Sequence, residues 1–151
     1  MIQRYTRKEM GDIWSDENKY NIWLEIELLA CEAQAELDLI PKKAAQEIRQ
    51  KAKVEPTKIL EIEETTKHDI IAFLTNVEEY IGVLSQYLHL GMTSSDVLDT
   101  CFAVQCKQSG KLIVEDLKKL KEILKQKANL YKYTICVGRT HGIHAEPITF
   151  G

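Results

Sequence analysis

The sequence predicts an all-α chain. A small N-terminal helical domain over residues 1–92 is followed, over residues 93–151, by the beginning of a long-helix bundle. Three observations carry this. Prolines stand only at Pro41, Pro56 and Pro147, so the long stretch between the last two lacks the strongest helix breaker. Apolar side chains recur at helical spacing in one segment after another. From Asp96 to about Tyr131 that spacing hardly stops, which predicts a helix roughly 50 Å long at the usual rise per residue.

Taken in order, Ile22, Trp23, Ile26, Leu29, Ala30, Ala33 and Leu37 predict a helix over Asn21–Leu39. Pro41 opens a second helix to about Lys51, proline suiting a first-turn position. A third runs from Pro56 to about Glu64. A fourth starts near Lys67 or His68 and carries Ile70, Ile71, Phe73, Leu74, Val77, Tyr80, Ile81 and Leu84. Gly91–Ser95 reads as a turn, with Ser94 or Ser95 as the N-cap of the long helix. The stripe of that helix (Val97, Leu98, Cys101, Val104, Leu112, Ile113, Leu117, Leu120, Ile123, Leu124, Ala128) overruns a small globule and needs partners along its length. Gly110 is a place where it can bend. Tyr133–Val137 reads as a short extended segment and Gly138–Gly142 as a loop.

Composition narrows the function classes. The formal net charge is −3, which argues against a duplex nucleic-acid binder because that task needs a basic face. The longest uncharged stretch, Tyr80–Ser95, is too short and too polar for a membrane span, and Met1–Trp14 carries charges where a targeting signal would be apolar. Cys31, Cys101, Cys106 and Cys136 show no Cys-x-x-Cys spacing and read as reduced thiols of a cytoplasmic protein.

Three clusters place chemically useful side chains in loops or at helix starts. In Thr65-Thr66-Lys67-His68-Asp69, Lys67 and His68 stand beside a helix N-terminus that can hold an anion; the alternative is simple capping by Thr66 or Asp69. In Gly91-Met92-Thr93-Ser94-Ser95-Asp96, preceded by His89, consecutive hydroxyls and helix-start amides suit a carboxylate or phosphate; the alternative is again an N-cap. In Gly138-Arg139-Thr140-His141-Gly142-Ile143-His144, the flanking glycines allow close backbone approach, and His141 can give or take a proton near neutral pH or serve as a structural loop residue. The spacing of His141 and His144 is not completed into a metal-ligand set. Arg4-Tyr5 suits a phosphate clamp or a tethered terminus.

In this order the clusters resemble the adenylosuccinate lyases of the fumarase/aspartase superfamily. The resemblance covers the chain from Met1-Ile2-Gln3-Arg4-Tyr5 to Gly151. It is carried also by Ile13-Trp14-Ser15-Asp16-Glu17-Asn18, Leu29-Ala30-Cys31-Glu32-Ala33, Lys67-His68-Asp69, Gly91 to Thr100, and Gly138 to Pro147. It implies an enzyme of purine and AMP biosynthesis that eliminates fumarate from adenylosuccinate, and from the succinylated aminoimidazole carboxamide ribotide, by general acid–base catalysis. It implies no cofactor and no metal, a nucleotide substrate, and a homotetramer whose subunits share active sites. By the same resemblance His141 is the general acid and His68 lies near the reacting end. Arg4, Tyr5, Lys67, His68, Asp69, His89, Thr93, Ser94 and Thr140 line the substrate site.

The family is about three times as long, and its base is a serine in a Ser-Ser-x-Met-Pro-x-Lys-x-Asn loop absent from this sequence. The chain is therefore expected to be an N-terminal portion, inactive by itself. The alternatives are a sibling fumarate-releasing lyase, of the argininosuccinate lyase kind, and a non-catalytic helical oligomerisation module.

Overall fold

The computed structural model describes residues 2–151, so Met1 of the opening motif lies outside the described residues. Among those residues the helices are α1 (Lys8–Ile13), α2 (Asp16–Glu36), α3 (Lys42–Lys51), α4 (Pro56–Thr66), α5 (Asp69–Ile81) and α6 (Ser94–Leu130). Short 3-10 turns occupy Gln3–Tyr5 and Gly82–Tyr87, and strands β1 (Ile135–Thr140) and β2 (Ile143–Thr149) close the order. The all-α prediction holds for the body of the chain. No described helix is long and apolar enough to cross a membrane. Two compact units divide it, Met1–Ser109 and Gly110–Gly151.

In the first unit the caps decide where helices begin. Ser15 Oγ accepts the backbone N–H of Asn18 at 3.1 Å, so α2 starts at Asp16, earlier than the apolar spacing predicted. Pro41 stands one residue before α3 and Pro56 is the first residue of α4. The buried face of α2 is Tyr20, Trp23, Leu24, Glu27, Leu28, Cys31 and Ala35. Leu29 and Leu37, predicted to be on the apolar face, are exposed, because the stripe is rotated to include Glu27. On α5, Ile70, Ala72, Phe73, Asn76, Val77 and Ile81 are buried.

The centre of this core is aromatic. Tyr20 and Trp23 meet edge to face with centroids 5.1 Å apart, and Trp23 meets Phe73 the same way at 5.5 Å. Ile48 of α3, Ile59 of α4 and Val97 of α6 join the same cluster. Buried Asn76 uses its side-chain oxygen to accept the N–H of Glu55 at 2.9 Å, fixing the entry to α4.

The long helix α6 runs without interruption through Gly110 for 37 residues. Its first half turns Val97, Cys101, Gln105 and Ser109 inward, one face at four-residue spacing. Gln105 donates to the carbonyl of Ile13 at 2.8 Å, and Asn18 donates to the side-chain oxygen of Gln108 at 3.0 Å. In the second unit, Ile113, Val114, Leu117, Leu120, Ile123 and Leu124 stay about half exposed.

The C-terminal segment corrects the sequence reading. Residues expected as a short extended piece and a loop form an antiparallel β-hairpin, with Cys136 opposite Ile148 and Arg139 opposite His144. The register shifts between Val137 and Arg139, which makes Gly138 a bulge rather than the start of a loop. Tyr131 and Phe150 pack edge to face at 5.4 Å, tying the end of β2 to the end of α6.

Candidate active site

The expected functional residues sit at the corners between these elements. Lys67 ends α4 in the left-handed conformation, φ 51°, and His68 returns to an extended one before α5. Sequence reading left this cap to Thr66 or Asp69. Instead His68 Nδ1 accepts the N–H of Ile71 at 3.4 Å, while Asp69 Oδ1 accepts the N–H of Ile70 at 2.7 Å. Thr66 Oγ1 donates to the carbonyl of His68 at 3.2 Å, tightening the corner. Both carboxylate and imidazole are partly exposed beside the N-terminus of α5, the positive end of the helix dipole, which favours negative charge. Lys67 borders a cavity of 520 Å³ with Leu60, Glu63 and Glu64, and pairs with Glu64 at 3.4 Å. That lining is net negative, so an anion held there needs further donors.

At the start of α6 the cap also differs from expectation. The residue preceding the helix is Thr93, not Ser94 or Ser95. Asp96 Oδ2 accepts the N–H of Thr93 at 2.8 Å, the reciprocal bond of a capping box, and this lets the helix begin one residue sooner. Ser94 is therefore in the first turn. Gly91 has φ 71°, a left-handed value that suits the chain reversal before it.

His89 lies just upstream, with φ 55°. It is tied to Glu27, which sequence reading missed: the Glu27 carboxylate lies 2.6 Å from His89 Nδ1 and accepts the His89 N–H at 2.8 Å. A charged residue inside an apolar stripe was the available signal. Nearby, burial pushes the Cys31 thiol up to about 11, with the charges of Glu27 and Glu32 adding to it, so Cys31 is no nucleophile.

Arg4 and Tyr5 form the opening 3-10 turn, the Arg4 guanidinium stacking 4.8 Å from the Tyr5 ring centroid. Tyr5 is largely exposed. The described hydrogen bonds and ion pairs hold each of these clusters locally or to α2; they do not join Arg4–Tyr5, Lys67–Asp69 and Thr93–Asp96 to one another.

Thr140 and His141 belong to the second unit. Thr140 ends β1 and pairs with Ile143, leaving His141 and Gly142 as a two-residue hairpin loop. Both have positive φ, 49° and 77°, which is the signature of a type I′ turn. Glycine takes this conformation freely, but a histidine takes it at a steric cost. The imidazole at 141 is thus carried on the apex of a hydrogen-bonded hairpin and is exposed.

Comparison with known proteins bears on the family of the chain. The chain is 56% identical over 151 residues to adenylosuccinate lyase of Synechocystis sp. and 48% identical to that of Bacillus subtilis. Each alignment covers 100% of this chain and 35% of the relative, so the chain spans about a third of the length of the curated relatives it matches. A crystal structure titled fumarate lyase, from Mesorhizobium sp. BNC1, superposes with a TM-score of 0.88 at 27% identity, covering 97% of this chain and 36% of that one. A family model described as lyase matches residues 3–151, and on that match the chain belongs to the lyase family.

Proposed function

We propose that this chain carries the general acid and much of the substrate-binding surface of an adenylosuccinate lyase. Such an enzyme cleaves a carbon–nitrogen bond to release fumarate from adenylosuccinate, giving AMP, and from succinylaminoimidazole carboxamide ribotide. The observation that carries this reading is the His141 turn. Its two-residue apex leaves the His141 side chain exposed, where an imidazole can reach a ligand and exchange a proton with it.

The chemistry follows from the residue types. His141 protonates the nitrogen as it leaves. Thr93 and Ser94, with the first amides of α6, donate to a carboxylate of the succinyl group, where charge builds up when the neighbouring carbon loses its proton. His68 stands near the reacting end. Lys67 and Asp69, its neighbours in the chain, are substrate-binding residues, and so is Thr140, next to the acid. Arg4, Tyr5 and His89 bind the nucleotide. The base is a serine on a loop outside this sequence. No cofactor or metal enters.

In this reading residues 1–92 form the N-terminal domain and residues 93–151 open the helix bundle. The enzyme is a cytoplasmic homotetramer. The half-exposed stripe from Ile113 to Leu124 supports an oligomer, since an apolar face of that length is normally covered.

The test is fumarate release by this chain mixed with the complementary C-terminal piece of the enzyme. Adenylosuccinate should be cleaved by the mixture and not by the chain alone. Turnover of argininosuccinate in its place would favour the sibling lyase. Rapid cleavage by the chain alone would remove the base from the missing loop.

A further inference from the structure

Helix α2 aims three polar side chains from successive turns of one face at a single segment, Tyr87–Leu90, which begins at the end of the second 3-10 turn. Cys31 Sγ donates to the carbonyl of Tyr87 at 3.2 Å, and Gln34 Nε2 donates to that of Leu90 at 2.7 Å. Between these anchors, Glu27 takes the backbone N–H of His89 on Oε2 at 2.8 Å and faces His89 Nδ1 with Oε1 at 2.6 Å. The Glu27 side chain is 0% exposed and that of His89 is 19% exposed. His89 is also one of the few non-glycine residues with positive φ. A conformation of that kind persists where surrounding bonds over-determine it.

A carboxylate only accepts hydrogen bonds, and a buried one is tolerated when donors satisfy its oxygens. The backbone N–H satisfies Oε2. Oε1 is satisfied at 2.6 Å only if Nδ1 carries a proton. We propose that Glu27 is a positioning residue for His89: it holds the proton on Nδ1, fixes the plane of the ring, and leaves Nε2 as the nitrogen offered to a ligand. When a second proton occupies Nε2, Glu27 balances the ring's charge, and the imidazolium offers an N–H to an anionic oxygen of carboxylate or phosphate type. Contact between Nε2 and substrate rests on the lyase reading above; the state of Nδ1 does not.

The experiment reads the ring nitrogens directly. Long-range proton–nitrogen NMR spectra of the 15N-histidine-labelled chain, without ligand, should show His89 Nδ1 with a protonated, pyrrole-type shift. A pyridine-type Nδ1 would overturn the proposal whatever the enzyme's substrate. Glu27→Gln supplies the second reading. The amide has one accepting oxygen, and the backbone N–H of His89 cannot give up its proton, so the oxygen turns to it and the amide N–H faces Nδ1. His89 should therefore switch to the tautomer protonated on Nε2. Retention of the Nδ1 proton in a folded Glu27→Gln chain would show that the carboxylate does not hold it. Should that variant fail to fold, the spectrum of the unaltered chain decides alone. In the assembled enzyme the same substitution should raise KM for the nucleotide more than it lowers kcat. If Nδ1 behaves as stated and KM is unmoved, the lyase assignment of His89 fails and the positioning role stands.

Discussion

The Cβ that Gly138 lacks would fall 2.9 Å from the backbone carbonyl oxygen of Glu146 on the opposite strand. Real side chains do not come so close to backbone, so the bulge in β1 exists because residue 138 is glycine. Gly138→Ala should cost about 1–3 kcal/mol, the range for overpacking a closely packed site. Faster amide exchange across β1 and β2, with α6 unaffected, is the expected measurement; unchanged exchange would show that the strand absorbs the methyl.

The turn at the hairpin tip separates chemistry from structure. Asparagine is accepted in the left-handed conformation that His141 adopts at φ 49°. His141→Asn should leave hairpin exchange rates as they are or slower. Turnover of the assembled enzyme should nevertheless fall by about a hundredfold or more, the usual cost of losing a general acid. Near-normal turnover would take His141 out of the mechanism.

Phe73 is fully buried between Tyr20 and Trp23. Phe73→Ala should lower stability by about 3–5 kcal/mol, the range for emptying an aromatic site in a packed core. Urea unfolding followed by tryptophan fluorescence would report it through Trp23. A loss below about 1 kcal/mol would mean that the surrounding helices collapse into the space.

Arg49 joins α3 to α2 through Glu32, with bonds of 2.7 and 2.9 Å, and through Glu25 at 2.5 Å. The Arg49 hydrogen bond holds the Glu32 carboxyl below the usual carboxylate range. A depressed carboxyl stabilises the fold above its unfolded value, and that contribution disappears as pH falls through the folded one. Acidification below the ordinary glutamate range should therefore weaken the α2–α3 contact. The groups are partly solvated, so the effect should not exceed about 1 kcal/mol. Arg49→Ala should flatten this part of the acid-unfolding curve, and an unchanged curve would assign the acid sensitivity elsewhere.

Much of this protein is decided within a few residues along the chain, and that much is legible in the sequence. Helical spacing predicts α2 through α6, and the corners at Lys67–Asp69 and Gly91–Asp96 are marked by residues that satisfy helix-start amides locally. The exact caps, His68 and Thr93, stand beside the expected residues: His68 Nδ1 takes the N–H of Ile71, and Asp96 reaches back to the N–H of Thr93. Tertiary structure alone decided two things. Gly138 became a bulge rather than a loop because strand pairing depends on Glu146 and Ile148 across the hairpin. Glu27 became a core residue because its partner, His89, lies 62 positions away. Periodicity reports which face is apolar; it carries no information about the distant donor that makes one buried charge tolerable.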